Sequence, residues 1–254
     1  MRIGLFCKSC KEDLPWLAQA IKSFQSNWLH PWDRTQWVLA MDAAAYESLI
    51  QHGIDLAHVD VRYVEPWPDR YAHAMAMKAC ADIFCDEANL ILIFDSDMIL
   101  SKPTGLADLM VAGKPPLCFE HWSCERDADI RRVAKSVWGG ASIRSTGCEL
   151  DRDWMVSPAW IFWPSTLKGA RRLVELHRKL PFLQAVYSRA IYDWRNFTLH
   201  PMTFCDIENL GLYASRFESD KYSIMELKDY RSPVTQFWSH GSIEAARHRT
   251  PLSS

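Results

Sequence analysis

The chain has 254 residues, with 29 Lys and Arg against 31 Asp and Glu and a formal net charge of -2. That balance gives no support for strong nonspecific nucleic-acid binding, and no apolar run approaches the roughly 20 residues that span a bilayer. With 48% hydrophobic and 24% charged residues, it is expected to form one large domain, or two halves sharing one sheet, around an ample core.

The opening residues enter a strand pattern at once, without a signal-peptide layout, so the expected location is the cytoplasm. Arg2 to Cys7 reads as the first strand. Asp13 then stands as a cap before Leu14, Pro15, Leu17, Ala18, Ile21 and Phe24, the spacing of an amphipathic helix with Pro in its first turn. Trp37 to Met41 is a second strand with Asp42 just past its end, and Ala43 to His52 is a short helix closed by Gly53. Val59 to Val64 is a third strand, ended by Pro66 and Pro68. Asp69 caps a helix to about Cys85, with Ala72, Met75, Ala76, Ala79 and Ile83 on one face. Arg70, His73 and Lys78 lie off that face, where solvated charge is the simplest expectation and phosphate or sugar contact the functional one.

Leu90 to Phe94 is an unbroken apolar run rich in β-branched residues, as suits a strand buried on both faces of a parallel sheet. It ends in Asp95-Ser96-Asp97. In open α/β sheets ligands gather at the carboxyl ends of strands. Two carboxylates there must be solvated, paired or metal-bound, and their hard oxygens suit Mg²⁺ or Mn²⁺. A cation so held clamps a diphosphate and neutralises the charge that develops as it leaves. The plain alternative is a polar strand end whose aspartates cap the next turn. The β-α-β-α-β-α-β order implies a parallel, nucleotide-binding sheet, whose rim gathers Lys8, Ser9 and Asp42 beside the acidic pair.

The second half is less regular. Leu117-Cys118-Phe119 reads as a strand, Glu125 to Val137 has helical spacing, and Trp138 to Cys148, with Gly139-Gly140, reads as a loop. Ala159 to Trp163 is an aromatic strand and Leu167 to Leu180 a basic amphipathic helix whose Arg171, Arg172, Arg178 and Lys179 form an exposed face. Asp206 and Glu208 repeat the i, i+2 carboxylate spacing, and His240-Gly241 follows Phe237-Trp238 near the end. Eight cysteines include Cys7-x-x-Cys10, and Cys118, His121 and Cys124 are spaced three apart. A structural zinc site would need a second matching C-x-x-C pair, so buried reduced thiols are favoured. Twelve tryptophans exceed what such a chain normally carries. Their simplest use is packing, although Trp122, Trp138, Trp154 and Trp238 adjoin polar or glycine positions suited to sugar contact.

In Leu92-Ile93-Phe94-Asp95-Ser96-Asp97 after a complete β-α-β-α-β-α-β run, in Met155-Val156-Ser157-Pro158 and in Asp206-Ile207-Glu208-Asn209-Leu210-Gly211-Leu212-Tyr213, the chain resembles GT-A fold glycosyltransferases of small bacterial and phage type. The resemblance covers residues 1 to 213 and, less closely, the His240 segment. It implies an α/β domain with a mainly parallel nucleotide-binding sheet over residues 1–105 and a more irregular acceptor-side half over 106–254. It also implies a nucleotide-diphosphate sugar donor, with UDP-sugar expected, and an Mn²⁺ or Mg²⁺ ion. Asp95 would face ribose or metal, and Asp97 would be the principal metal ligand. His240 would complete the metal site as in glycogenin-like members, whose surrounding motif differs. Lys8, Ser9 and Asp42 would lie near the base, and Arg70 and Lys78 near sugar or phosphate. Asp206 or Glu208 would be the acceptor-side carboxylate, a general base if the anomeric centre is inverted. Saccharide, protein, lipid head group and modified DNA base all stay open as acceptor. Two other readings stand beside it. One is a sugar nucleotidyltransferase, although Cys7-Lys8-Ser9-Cys10-Lys11-Glu12 lacks that class's Gly-rich basic loop. The other is a non-enzymatic zinc-stabilised module using Cys7, Cys10, Cys118, His121 and Cys124.

Overall fold

A computed structural model describes residues 1–122, 138–155, 160–187 and 204–236. Strand β1 (Ile3–Lys8) is buried at every position. The reason is its placement: it pairs in parallel with β2 (Thr35–Met41) on one side and with β4 (Leu90–Phe94) on the other. A central strand covered on both faces has no solvent side, so apolar and polar residues do not alternate. β3 (Val59–Tyr63) joins parallel to β2, and β7 (Trp160–Phe162) adds an antiparallel edge beside β4, giving the order β3-β2-β1-β4-β7. The molecule is a mixed α/β protein with a mostly parallel central sheet flanked by helices. No described helix is long and apolar enough to cross a membrane.

The helices follow from their apolar spacing and caps. α1 (Leu14–Asn27) buries Leu14, Leu17, Ile21 and Phe24, and the Phe24 ring stacks on Phe94 with centroids 4.5 Å apart. Asp13 stands at its N-cap position but does not cap it. A preceding 3-10 turn holds Asp13 at φ -89°, ψ -3°, so its carboxylate instead accepts from Cys10 Sγ. Asp42 does cap α2 (Ala43–Gln51), accepting from Ala45 N, and Gly53 at φ +63° ends the turn after it. Asp69 caps the next helix through Tyr71 N and Ala72 N. That helix is two pieces, α3 (Arg70–Ala79) and α4 (Ala81–Phe84), because Cys80 leaves helical geometry. The break shifts the helical phase, and Ile83, expected on the buried face, is 63% exposed. Gly4 sits where α4 comes closest to the sheet: a Cβ there would lie 2.8 Å from Cys85 Cβ.

The C-terminal half adds two small two-stranded sheets. β5 (Met98–Leu100) pairs antiparallel with β9 (Val234–Gln236), and β6 (Pro116–Phe119) pairs parallel with β8 (Ser223–Glu226). Residues 138–146, expected as a loop, form helix α5. Ser145 and Thr146 return their hydroxyls to the Ala141 and Ser142 carbonyls, and Asn209 Nδ2 donates to Ser145 Oγ from the neighbouring helix. Tertiary bonding thereby overrides the weak helix propensity of Gly139-Gly140. α6 (Pro164–Arg178) is amphipathic as expected, but Arg171 is not on its solvent face. It donates to the Ala79 carbonyl at the end of α3 and forms a bidentate pair with Asp82. α7 (Phe182–Val186) follows, and α8 (Asp206–Phe217) packs on α3 and α6. The expected helical spacing of residues 125–137 and the Val156-Ser157-Pro158 segment lie outside the described residues.

Candidate active-site cleft

The carboxyl ends of β1, β2 and β4 open into one cleft of about 520 Å³. Lys8 and Ser9 come from the end of β1, Asp42 from the end of β2, and Asp95, Ser96 and Asp97 from the turn after β4; all six line the cleft. Arg70 and Lys78 reach it from α3 and Asp206 from the first turn of α8. These nine positions meet in one place, the six at strand ends because a parallel sheet delivers every strand's end to the same edge.

The electrostatics are organised by Lys78. Its ammonium pairs with Asp95 Oδ1, lies 3.6 Å from Asp206 Oδ2, and sits 5.4 Å from the centre of the Trp160 ring. Burial alone would lower its pKa, but Asp95 and then Asp206 outweigh that and hold it above the usual lysine range. Asp206 is pushed upward by burial, with Lys78 opposing. Lys78 is thus a largely buried bridge between two carboxylates, contrary to the expectation of a solvated helix charge.

The remaining groups divide by environment. Asp95 Oδ2 and Asp97 Oδ1 converge on the Gln236 amide, 3.4 and 3.3 Å from Nε2. Ser9 Oγ is buried without a hydrogen-bond partner among the described residues, as a group awaiting a ligand would be. Lys8 Nζ donates to the Ser9 carbonyl at 2.6 Å, and burial lowers its pKa. His73 is buried, not solvated as expected. Its ring stacks on Trp67 with centroids 5.1 Å apart, and burial, then Lys8, lowers its pKa to about 4, so it is neutral near pH 7. Arg70 is exposed and pairs with Glu12.

Glu208 is not a cleft residue. One turn geometry explains why: at i+2 on α8 it points away from Asp206, into the interior, where its Oε2 accepts from Trp154 N at 3.1 Å. Burial first, then Asp153, holds its carboxyl well above the usual range. His240 and Trp238 lie outside the described residues. Trp138 and Trp154 are buried in packing, and Trp154 is packed against Gly211, where a Cβ would approach its ring to 2.4 Å. The tryptophans that do line the cleft are Trp67 and Trp160, which their sequence neighbours do not distinguish.

No family model matches this chain, and no curated protein matches it.

Does the cleft fit a divalent cation? Among the described residues, no group of three or more His, Cys, Asp or Glu side chains is gathered to hold one. An ion such as Mg²⁺ does not need such a cage, since it is typically bound by one or two carboxylates plus substrate phosphates. Two carboxylate oxygens converging on one point, in a cleft with room for a diphosphate, meet that lesser requirement. The zinc alternative fares worse. Cys7 is buried in β1 and Cys118 in β6 of a separate sheet, and neither joins a ligating cluster among the described residues. Cys124 lies outside those residues.

Proposed function

We propose that the chain is a glycosyltransferase of GT-A type, moving a sugar from a nucleotide-diphosphate donor, UDP-sugar in the first instance, to an acceptor hydroxyl with help from Mn²⁺ or Mg²⁺. The observation that carries this reading is the convergence of Asp95 Oδ2 and Asp97 Oδ1 at the carboxyl end of the central strand. Those two oxygens would hold the ion. Bound there, it would offset the negative charge that accumulates on a departing diphosphate.

The chain's own residues supply the rest. Asp95 is fixed by Lys78 on one oxygen and turns the other toward Gln236, where the ion would sit. Lys78 spends its charge on that pairing and on Asp206, so it orients both carboxylates more than it grips phosphate. Ser9 Oγ and the neutral His73 imidazole offer hydrogen bonds, and Asp42 and Lys8 complete the β1–β2 end as a base and ribose subsite. Trp160, Met155 and Asp206 line the cleft as well, whereas Glu208 does not. Exposure to the cleft supports Asp206 over Glu208 as the acceptor-side carboxylate. In an inverting reaction it would take the acceptor proton; in a retaining one it would position the acceptor. The seven described cysteines are free thiols, in keeping with a reducing cytoplasm.

Replacing Asp97 with Ala tests the assignment. The expected result is loss of Mn²⁺-dependent hydrolysis of the nucleotide sugar with an unchanged circular-dichroism spectrum. Full turnover by that variant would defeat the site.

A further inference from the structure

The last described strand, β9, brings an uncharged residue to the centre of the acidic cleft. β9 pairs with β5 in the register Met98↔Gln236, Ile99↔Thr235 and Leu100↔Val234, and Ser101 N and Oγ both donate to the Pro233 carbonyl. Gln236 is therefore held opposite Met98, the residue directly after Asp97. Its amide is the group on which Asp95 Oδ2 and Asp97 Oδ1 converge.

Resting on the cation reading above, we infer that Gln236 is a third protein ligand of that cation, through its amide oxygen. Both Nε2 contacts, at 3.4 and 3.3 Å, are longer than an ordinary N–H···O bond of about 2.9 Å. The amide thus faces both carboxylate oxygens through long contacts and closes tightly on neither. In an octahedron with metal–oxygen bonds of about 2.1 Å, neighbouring ligand oxygens lie about 3.0 Å apart, so a contraction of a few tenths of an ångström brings the amide to that spacing from each carboxylate.

An amide is suited to both states. Its terminal torsion is broad and roughly two-fold, and a half-turn exchanges a donor –NH2 for an acceptor carbonyl at nearly the same place. With only carboxylates opposite, the –NH2 end faces them. With a cation between, the oxygen end does. The resulting set is one oxygen each from Asp95, Asp97 and Gln236, which carries two negative charges against two positive and leaves the remaining positions for phosphate oxygens and water. Lys78 keeps Asp95 monodentate in that set.

The test is titration of the full chain with Mn²⁺ alone, followed through the electron paramagnetic resonance signal of the free ion. Gln236→Ala and Gln236→Leu are expected to weaken Mn²⁺ binding by roughly ten-fold or more, the scale of losing a coordinating partner. Gln236→Glu, which keeps an oxygen and adds charge, is expected to match or exceed the parent. Melting curves of all three check that β9 stays paired. If the Ala and Leu variants hold Mn²⁺ as tightly as the parent, or more tightly, the amide is only a plug between the carboxylates and the inference is overturned. Asp97→Asn, run in parallel, separates the two failures. Loss of binding there but not in Gln236→Ala removes Gln236 alone. No effect there, or no binding by the parent, removes the cation reading and this inference with it.

Discussion

Lys78→Met removes the positive charge between Asp95 and Asp206 while keeping most of the side-chain volume. Asp206 Oδ2 is 3.6 Å from the ammonium, with side-chain exposures of 11% for Lys78 and 2% for Asp206. At that separation and an effective dielectric of about 20, one unit pair attracts by about 4 to 5 kcal/mol. Much of that is offset in the parent by the cost of burying the ammonium, yet deleting one partner of a buried pair still costs about 3 to 5 kcal/mol, because the other charge is left behind. For a chain of this size that is on the order of 10 °C in melting temperature.

The loss must also depend on pH. Burial already raises the Asp206 carboxyl, and without Lys78 it rises further. The folded variant then holds a proton that the unfolded chain gives up above about pH 4, so its stability falls as pH climbs from there toward the raised folded value. Urea unfolding at about pH 5 should show a clearly smaller deficit than at about pH 8. Adding Asp206→Asn should recover at least half of the deficit at the higher pH. A deficit below about 1 kcal/mol, equal at both pH values and untouched by the second substitution, would refute the bridging role of Lys78.

Three further outcomes are expected. Burial and then Asp153 push the Glu208 carboxyl upward, so its contribution is present below the unfolded carboxyl pKa and lost as pH rises through the folded one; Glu208→Gln should exceed the parent by about 1 to 2 kcal/mol at about pH 8 and show no advantage at about pH 4 in urea titrations. Asp69→Ala removes the acceptor for Tyr71 N and Ala72 N and should cost about 1 kcal/mol, measured the same way. Arg171→Met strands the largely buried Asp82 carboxylate and should cost about 3 kcal/mol, whereas Arg172→Ala, on the exposed side of the same helix, should stay within about 0.5 kcal/mol.

The parts readable from the sequence were those with local causes. β1, β2 and β4 announce themselves as apolar runs, and Asp42 and Asp69 as caps, because strand burial and helix capping act over a few residues. Once the parallel order is known, the edge where Lys8, Ser9, Asp42, Asp95 and Asp97 meet follows from topology. What escaped has distant causes. The helix break at Cys80 is braced by Arg171, which donates to Ala79 from another helix. The 138–146 helix depends on Asn209 bonding to Ser145. Gln236 reaches the cleft through a three-residue strand pairing with another of three residues, too short for any alternation to show. The different fates of Asp206 and Glu208 turn on helical phase, which becomes decisive only once the start of α8 is known.

The central claim is that Asp95 and Asp97 hold a cation that in turn holds a diphosphate, and calorimetric titration of UDP in the presence and absence of Mn²⁺ tests it most directly. The account predicts that Mn²⁺ tightens UDP binding by the parent, and that Asp97→Ala abolishes this gain without lowering the melting temperature of the free protein. Binding of UDP with equal affinity with and without Mn²⁺, in parent and variant alike, would contradict it.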